Sequence, residues 1–201
     1  MRRSVSFSPA IMNLQIFSSI AVLLLVFGLG ACSPPAEKPR AGAPTGGDFV
    51  LQGPQGAVDS KALRGKLLLI YFGYVNCPDI CPASLAVMNQ VLNGLPAEQR
   101  QRIQPILISV DPARDTPEKL VAYTAYFHPS LIGVTGSEAD IARVAAQFGA
   151  GYVKQPVRPD GSYAVDHSAN TYVVDKAGKL VATVPIGMPA DEAAAIVARH
   201  L

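Results

Sequence analysis

The sequence predicts an α/β domain in which a central mixed β-sheet is flanked by helices. Short apolar runs typical of buried strands alternate with segments whose apolar residues recur at helical spacing. Two cysteines, Cys77 and Cys81, lie where the first of these strands is followed by a helix, and a hairpin signature comes near the carboxyl end. With 201 residues, the chain is long enough for one such domain together with a leader and a linker.

The first part of the domain predicts a hairpin, a core strand and a helix, in that order. Residues 48–58 place a turn rich in Gly and Pro between two short extended segments, which predicts an N-terminal hairpin. The uninterrupted apolar run at 67–72 predicts a buried strand. Residues 83–95 carry leucines and a methionine at helical spacing and predict an amphipathic helix.

The middle of the domain repeats the strand and helix order twice. The apolar runs at 106–110 and 131–135 predict two further strands. A helix start follows each of them, because Thr116 is a favourable N-cap before Pro117, and Ser137 with Asp140 resembles a capping box. The predicted helices extend to about residue 127 and to the glycine at 149, respectively.

The last part predicts an irregular segment, a hairpin and a closing helix. Residues 151–161 contain closely spaced prolines and glycines and predict a loose segment. The runs 171–174 and 180–184 flank a turn-forming stretch and predict a hairpin, and 191–199 predict a helix. The order βαβα, then a hairpin and a helix, with a cysteine pair after the first core strand, predicts a thioredoxin-like fold for residues 48–201.

The first 31 residues have the pattern of an export signal. Arg2 and Arg3 precede an apolar region at 20–29 and a small-residue site before Cys32. Residues 29–32 resemble the lipobox of bacterial lipoproteins, in which the cysteine becomes the lipidated first residue of the mature chain. We therefore expect residues 1–31 to be a signal peptide and Cys32 to hold the protein to a membrane by its lipid.

Residues 32–47, rich in Pro, Ala and Gly, predict a flexible tether between this anchor and the domain. The alternative is an uncleaved transmembrane anchor, because residues 11–31 are long enough to span a bilayer. Either arrangement places the domain outside the cytoplasm, on the periplasmic side of a bacterial membrane.

The charge of the chain argues against nucleic-acid binding. The net charge is +2, and both excess charges belong to Arg2 and Arg3 in the leader. The residues after the leader therefore carry equal numbers of basic and acidic side chains. The Lys and Arg residues among them form no cluster, whereas nucleic-acid binding depends on neutralising phosphates.

The cysteine pair is the first candidate site. Thiolates bind soft metals and exchange disulfides, and the N–H groups of a nearby helix start lower thiol pKa values. In an exported domain, Cys77 and Cys81 are therefore expected to be redox-active, metal-bound or both. A purely structural disulfide is the alternative, although a loop this short gains the least from closure.

Three sequence blocks together resemble the Sco/SenC family of copper-binding, thioredoxin-like assembly proteins. They are CPDICP at 77–82, SVDPARDTP at 109–117 and VDHS at 165–168. The resemblance implies that Cys77 and Cys81 are the copper-binding thiolates and that His167 is the imidazole ligand.

The resemblance also implies a function and partners. The protein would deliver copper, or reduce cysteines, during assembly of the binuclear copper centre of cytochrome c oxidase. Its partners would be the copper-accepting oxidase subunit and possible further copper chaperones or thiol reductants. A copper chaperone is not an enzyme, whereas a thiol–disulfide oxidoreductase would use Cys77 and Cys81 as catalytic residues, so the sequence leaves the enzyme question open.

The residue chemistry by itself is also compatible with a different metal and with redox reactions. Sulfur selects Cu(I) and imidazole also accepts Cu(II), but Zn²⁺ is bound by two cysteines and a histidine as well. Three residues separate the cysteines, one more than in thioredoxin-type reductants, so general reductase activity is not implied. A peroxide-reducing enzyme on the same fold ranks last, because no threonine directly precedes Cys77.

Acidic residues also lie in and near these blocks. Asp166 is expected either to orient the His167 ring or to belong to a turn. Asp115 is expected to be a helix-capping residue, and Asp111 is expected either to support the site or to have no part in it. His128 and His200 are not expected to be ligands.

Overall fold

The structure is a computed structural model and describes residues 43–201. The expected signal peptide, Cys32 and the tether as far as residue 42 lie outside the described residues. The strands are β1 Val50–Gly53, β2 Gly56–Asp59, β3 Leu67–Gly73, β4 Ile103–Ser109, β5 Ile132–Val134, β6 Tyr152–Lys154, β7 Val165–His167, β8 Thr171–Val174 and β9 Leu180–Val184. The α-helices are α1 Ile80–Gly94, α2 Ala97–Gln101, α3 Pro117–Phe127, α4 Glu138–Phe148 and α5 Ala190–Ala198, and a 3₁₀ turn covers Ser60–Leu63.

A mixed sheet of five strands forms the centre of the fold, in the order β5-β4-β3-β8-β9. β4 runs parallel to β3 and to β5, whereas β8 runs antiparallel to β3 and to β9. Every residue of β3 is buried, as expected for a strand that is covered on both faces. The thioredoxin-like fold predicted from the sequence is therefore confirmed.

Helices cover both faces of this sheet. The side chains of β3 alternate, so that Phe72 packs against the rings of Phe148 in α4 and of Tyr172, at 5.8 and 5.5 Å between centroids. Tyr71 points to the opposite face, where its hydroxyl donates to the carbonyl of Ile80 at the start of α1. The central strand is thereby fixed from both sides, and its carboxyl end is a rigid support for the loop that follows.

Most predicted elements are present, and their ends agree best where a local signal sets them. The Thr116 hydroxyl accepts from the Lys119 N–H and caps α3, and α4 ends at Gly149, whose φ of 65° suits glycine. α1 begins at Ile80, three residues earlier than predicted. Pro82 is compatible with this start because the first-turn N–H groups have no partner within a helix.

Three short elements, α2, β6 and β7, are absent from the sequence prediction. α2 was not predicted, and the segment expected to be irregular contains β6, which pairs antiparallel with β7 in a separate two-stranded sheet. The β6–β7 hairpin has no strand pairing with the central sheet. This hairpin carries His167, the imidazole that the sequence singles out.

The N-terminal hairpin of β1 and β2 is present as predicted. It joins the main fold through paired backbone hydrogen bonds between Gln52 and Thr135, at 2.7 and 2.8 Å. Residues 45 and 46, which precede the hairpin, are also joined to the domain by backbone hydrogen bonds. The Gly46 N–H donates to the carbonyl of Gln147, and the Leu180 N–H donates to the carbonyl of Thr45. Within residues 43–201, no helix has the length and apolar character needed to cross a membrane.

Candidate metal centre

The two cysteines lie on either side of the start of α1. The loop after β3 carries Cys77, whose N–H donates to the carbonyl of Tyr74 at 3.2 Å. Cys81 is the second residue of α1. Cys81 is fully buried, whereas Cys77 retains 9% of its surface, and both are free thiols. One sulfur is therefore enclosed by the fold and the other lies at its edge.

Gly73, the last residue of β3, makes room for the Cys81 sulfur. A Cβ atom at this position would lie 2.7 Å from Cys81 Sγ and 2.9 Å from the Tyr71 ring. Both distances are shorter than real Cβ contacts allow. The glycine therefore allows the sulfur to pack directly against the end of the central strand.

His167 approaches the same sulfur from the β6–β7 hairpin. Its Nε2 atom lies 3.2 Å from Cys81 Sγ, and its Nδ1 atom lies 3.0 Å from the carbonyl oxygen of Ser168. A carbonyl only accepts, so Nδ1 carries the hydrogen and Nε2 directs its lone pair at the cysteines. The rings of Tyr71 and Tyr74 stand edge-on to the imidazole, at 6.0 and 5.7 Å.

The three predicted ligands come together in space. The two sulfur atoms and the His167 ring nitrogen all lie within 4.8 Å of one another. Thiolate and imidazole bonds to an ion such as Zn²⁺ are about 2.0–2.3 Å long, so ligands of one ion lie within about 4.6 Å of each other. The spacing of the cluster is close to this limit, and its donor atoms suit one soft or borderline metal ion.

The protonation of the site differs in part from the expectation. Burial raises the pKa of the Cys81 thiol, whereas the sequence predicted a thiol pKa lowered by the helix start. The largest cause is the loss of solvent around this fully enclosed sulfur. Burial also lowers the pKa of His167, which keeps the imidazole neutral. A bound cation would displace the thiol proton, so metal binding is coupled to proton release.

Asp115 has a different role from the one expected. The helix cap of α3 is Thr116. Asp115 is instead a buried carboxylate near the end of the loop between β4 and α3. It accepts hydrogen bonds from the Val75 N–H at 3.0 Å and from the Ser109 hydroxyl at 2.7 Å. Asp115 therefore connects the loop that carries Cys77 to the end of β4. Its position directly before a helix does not predict this role.

Asp111 contacts Tyr163 and Arg114 rather than the candidate ligands. It is buried and accepts from the Tyr163 hydroxyl at 2.7 Å, and it also pairs with Arg114. Asp166 does not bind the His167 ring: the carbonyl of Ser168 holds Nδ1, and the Asp166 carboxylate accepts from Gln155 at 2.6 Å.

The other two histidines lie outside the site. His128 is hydrogen-bonded to Ser130 at 2.8 Å, and His200 lies near the carboxyl terminus. Neither belongs to the cluster of candidate ligands.

Comparison with known proteins agrees with this geometry. The sequence model of the SCO1/SenC family matches residues 37–201. The chain is 38% identical over 185 residues to a SCO2-like protein of Rickettsia felis, an alignment that covers 84% of this chain and 89% of the relative.

Two solved structures extend the comparison. ScoI of Bradyrhizobium japonicum with copper bound is 40% identical and has a TM-score of 0.71, with 78% of this chain and 99% of that chain covered. BsSco, a member of the Sco family of cytochrome c oxidase assembly proteins in which a disulfide switch was identified, is 26% identical and has a TM-score of 0.61. That comparison covers 79% of this chain and 94% of BsSco. The chain therefore belongs to the SCO1/SenC family.

Proposed function

We propose that this protein binds copper through Cys77, Cys81 and His167 and carries it for assembly of the binuclear copper centre of cytochrome c oxidase. The observation that supports this most directly is the convergence of two sulfurs and one imidazole nitrogen within 4.8 Å of one another. The Bradyrhizobium relative, solved with copper bound, supports copper as the metal.

The ligand set suits a protein that releases its metal to a partner. Thiolates favour Cu(I) and the imidazole also accepts Cu(II), so both oxidation states can be held. Three protein ligands leave a coordination position for a ligand from the recipient. Cys77 lies at the edge of the fold, and His167 lies on a hairpin outside the central sheet. The recipient can therefore approach the site from the side of these two ligands.

The ligand set is tested by anaerobic copper titration of reduced protein with optical and EPR readout. The wild type should bind one copper. His167→Ala should weaken Cu(II) binding by at least about 10-fold, because loss of even an outer-shell partner costs 10- to 100-fold. Cys77→Ser should nearly abolish binding, and His200→Ala, which alters a histidine outside the cluster, is the matched control. Unchanged affinity in both ligand variants would reject the ligand set.

We further propose that a lipid on Cys32 holds the domain on the periplasmic side of a bacterial membrane. The support is the basic, apolar and small-residue pattern that ends in Cys32. Protein extracted from membranes should have an intact mass that lacks residues 1–31 and includes acyl chains. A mass that contains residues 1–31 would instead indicate the uncleaved anchor.

A second candidate function is thiol–disulfide exchange on an oxidase subunit or another exported protein. The observation that favours it is the pair of free, closely spaced thiols at Cys77 and Cys81. In this reaction, the two thiols form a disulfide while the partner's disulfide is reduced to two thiols. The reaction requires both cysteines but not His167, so a His167→Ala strain with normal oxidase would favour this function over copper delivery.

A further inference from the structure

The position of His167 depends on contacts outside the central sheet. Among residues 43–201, β7 pairs with β6 and with no other strand, so no strand pairing within these residues fixes this hairpin relative to β3 and the loop that carries Cys77. A ligand placed in this way needs other contacts to hold it within bonding distance of the sulfurs. The segment that leads into β7, residues 163–165, makes several of these contacts.

Arg114 makes two contacts with Tyr163, at the start of this segment, and one with Asp111. Its Nη1 donates to the carbonyl of Tyr163 at 2.9 Å, and its guanidinium carbon lies 3.5 Å from the centroid of the Tyr163 ring. Its Nε donates to the carboxylate of Asp111, and the Tyr163 hydroxyl donates to the same carboxylate at 2.7 Å. Arg114, Asp111 and Tyr163 thus form a closed ring of contacts.

These contacts also extend to the loop that carries Cys77. The Tyr74 ring lies 5.6 Å from the guanidinium carbon of Arg114, within the range of a cation–π interaction. The Tyr74 hydroxyl accepts from the Val165 N–H at 3.2 Å, and the Tyr74 carbonyl accepts from the Cys77 N–H. Arg114 therefore lies between the segment that carries His167 and the loop that carries Cys77.

The surroundings of Arg114 differ from those of an ordinary surface arginine. The side chain of Arg114 is 23% exposed and that of Asp111 is 3% exposed. Arg143 and Asp140 have the same spacing along the chain, but their side chains are 51% and 47% exposed. Burying a charged pair contributes little net stability, because desolvation offsets the attraction. We therefore look for the role of the Arg114 contacts in the local geometry that they fix rather than in net stability.

We propose that Arg114 is a positioning residue that sets where the His167 imidazole lies relative to the cysteine thiols. It acts through Tyr163 and Tyr74 and contacts none of the three ligand atoms itself. The consequence for copper affinity rests on the proposed function. The consequence for the position of the imidazole does not, because it concerns the metal-free protein.

The experiment compares Arg114→Ala with the matched control Arg143→Ala, both in the full chain. In the metal-free, reduced protein, NMR measures the exchange rate of the Val165 amide hydrogen and the nuclear Overhauser contact between the His167 and Tyr74 rings. Arg114→Ala should speed the exchange at least about 10-fold and weaken the ring contact. Cu(II) affinity should fall about 10- to 100-fold, with altered nitrogen hyperfine splitting in the EPR spectrum. Arg143→Ala should match the wild type in every measurement.

Two further variants keep the test decisive if Arg114→Ala does not fold. Arg114→Lys keeps the charge but lacks the planar fork, so it should retain only part of the wild-type affinity. Tyr163→Phe keeps the ring beneath the guanidinium and loses the hydrogen bond to Asp111, and it should speed Val165 exchange by a smaller factor than Arg114→Ala. Wild-type exchange, ring contact and EPR spectrum in the Arg114 variants would overturn the proposal. A wild type that binds no copper would overturn the proposed function alone, because the metal-free measurements still report on Arg114.

Discussion

Gly73 shows how a single residue affects the shape of the candidate metal centre. It ends the central strand, and the Cys81 sulfur occupies the space that a side chain would otherwise take. The close approach places the sulfur in a fully buried position, where it faces His167 at 3.2 Å. A β-carbon at Gly73 is therefore expected to disturb both the packing and the site.

We expect Gly73→Ala to lower the free energy of unfolding by about 1–3 kcal/mol, because an added methyl group overpacks this part of the core. The displaced Cys81 sulfur should also weaken metal binding. Urea unfolding of the reduced, metal-free protein gives the first quantity, and copper titration gives the second.

The matched control for this substitution is Gly94→Ala at the end of α1. A Cβ atom there meets no other atom within 4 Å, and alanine should be neutral or stabilise the helix by up to about 1 kcal/mol. Equal unfolding free energies for Gly73→Ala and the wild type would contradict the assigned role of Gly73.

At the same scale, the sequence singles out the candidate ligands but not the contacts that surround them. Cys77, Cys81 and His167 stand out because of their residue types and sequence blocks, and the structure brings all three together. Asp115 and Arg114 lie in one of those blocks, but their partners are 40 and 49 residues away along the chain. Local patterns carry no information on such contacts, which only the folded chain defines.

At the scale of elements, predictions succeed where local chemistry sets the boundary. Thr116 and Ser137 both cap their helices as predicted, because a hydroxyl before the first turn accepts from an N–H group of that turn. β6 and β7 were missed because each has only three residues and a proline- and glycine-containing segment separates them. Their pairing, rather than their composition, makes them strands.

Strand register explains why two distant sequence blocks meet at the site. β3 and β4 are parallel, and Gly73 pairs with Ser109, so both strands end at the same level of the sheet. The cysteine loop and the loop that contains Asp111 to Asp115 consequently emerge side by side. Parallel pairing in this register makes the hydrogen bond from the Val75 N–H to Asp115 possible.

For the whole molecule, the order of elements was enough to predict the fold. A cysteine pair after the first core strand, with a late hairpin, indicated the thioredoxin-like arrangement that the five-stranded sheet displays. What the order did not reveal is the separate β6–β7 hairpin. Two of the three candidate ligands therefore lie in the loop and helix start that follow a buried strand, and the third lies on the separate β6–β7 hairpin.

The molecule as a whole should lose stability when the pH falls from 7.5 to 5.5. Burial lowers the pKa of both His128 and His167 below the ordinary value near 6.5. The unfolded chain therefore binds more protons than the folded protein below about pH 6.5, and the free energy of unfolding falls as the pH decreases. For each histidine, the loss is at most about 1.4 kcal/mol per unit of lowered pKa.

Carboxylates contribute less in this pH range, and one of them acts in the opposite direction. Glu118, Asp140 and Asp160 have lowered pKa values, so their contribution is lost only below about pH 4.5. Burial raises the pKa of Asp115, so its protonation favours the folded state as the pH falls. The two histidines should therefore dominate between pH 5.5 and 7.5.

Urea unfolding of the reduced, metal-free protein at several pH values measures this dependence. His128→Gln should show a smaller loss of stability between pH 7.5 and 5.5 than the wild type, because the variant has no imidazole at this position to take up a proton and the site lies away from the candidate ligands. The substitution also alters the hydrogen bond to Ser130, so the quantity compared is the change between the two pH values within each variant. Each histidine contributes separately, so the His167→Gln variant should also show a smaller loss, and the double variant the smallest. A wild type whose unfolding free energy is constant over this range, or a double variant that keeps the full wild-type loss, would show that proton uptake by these buried imidazoles does not govern the acid side of the stability profile.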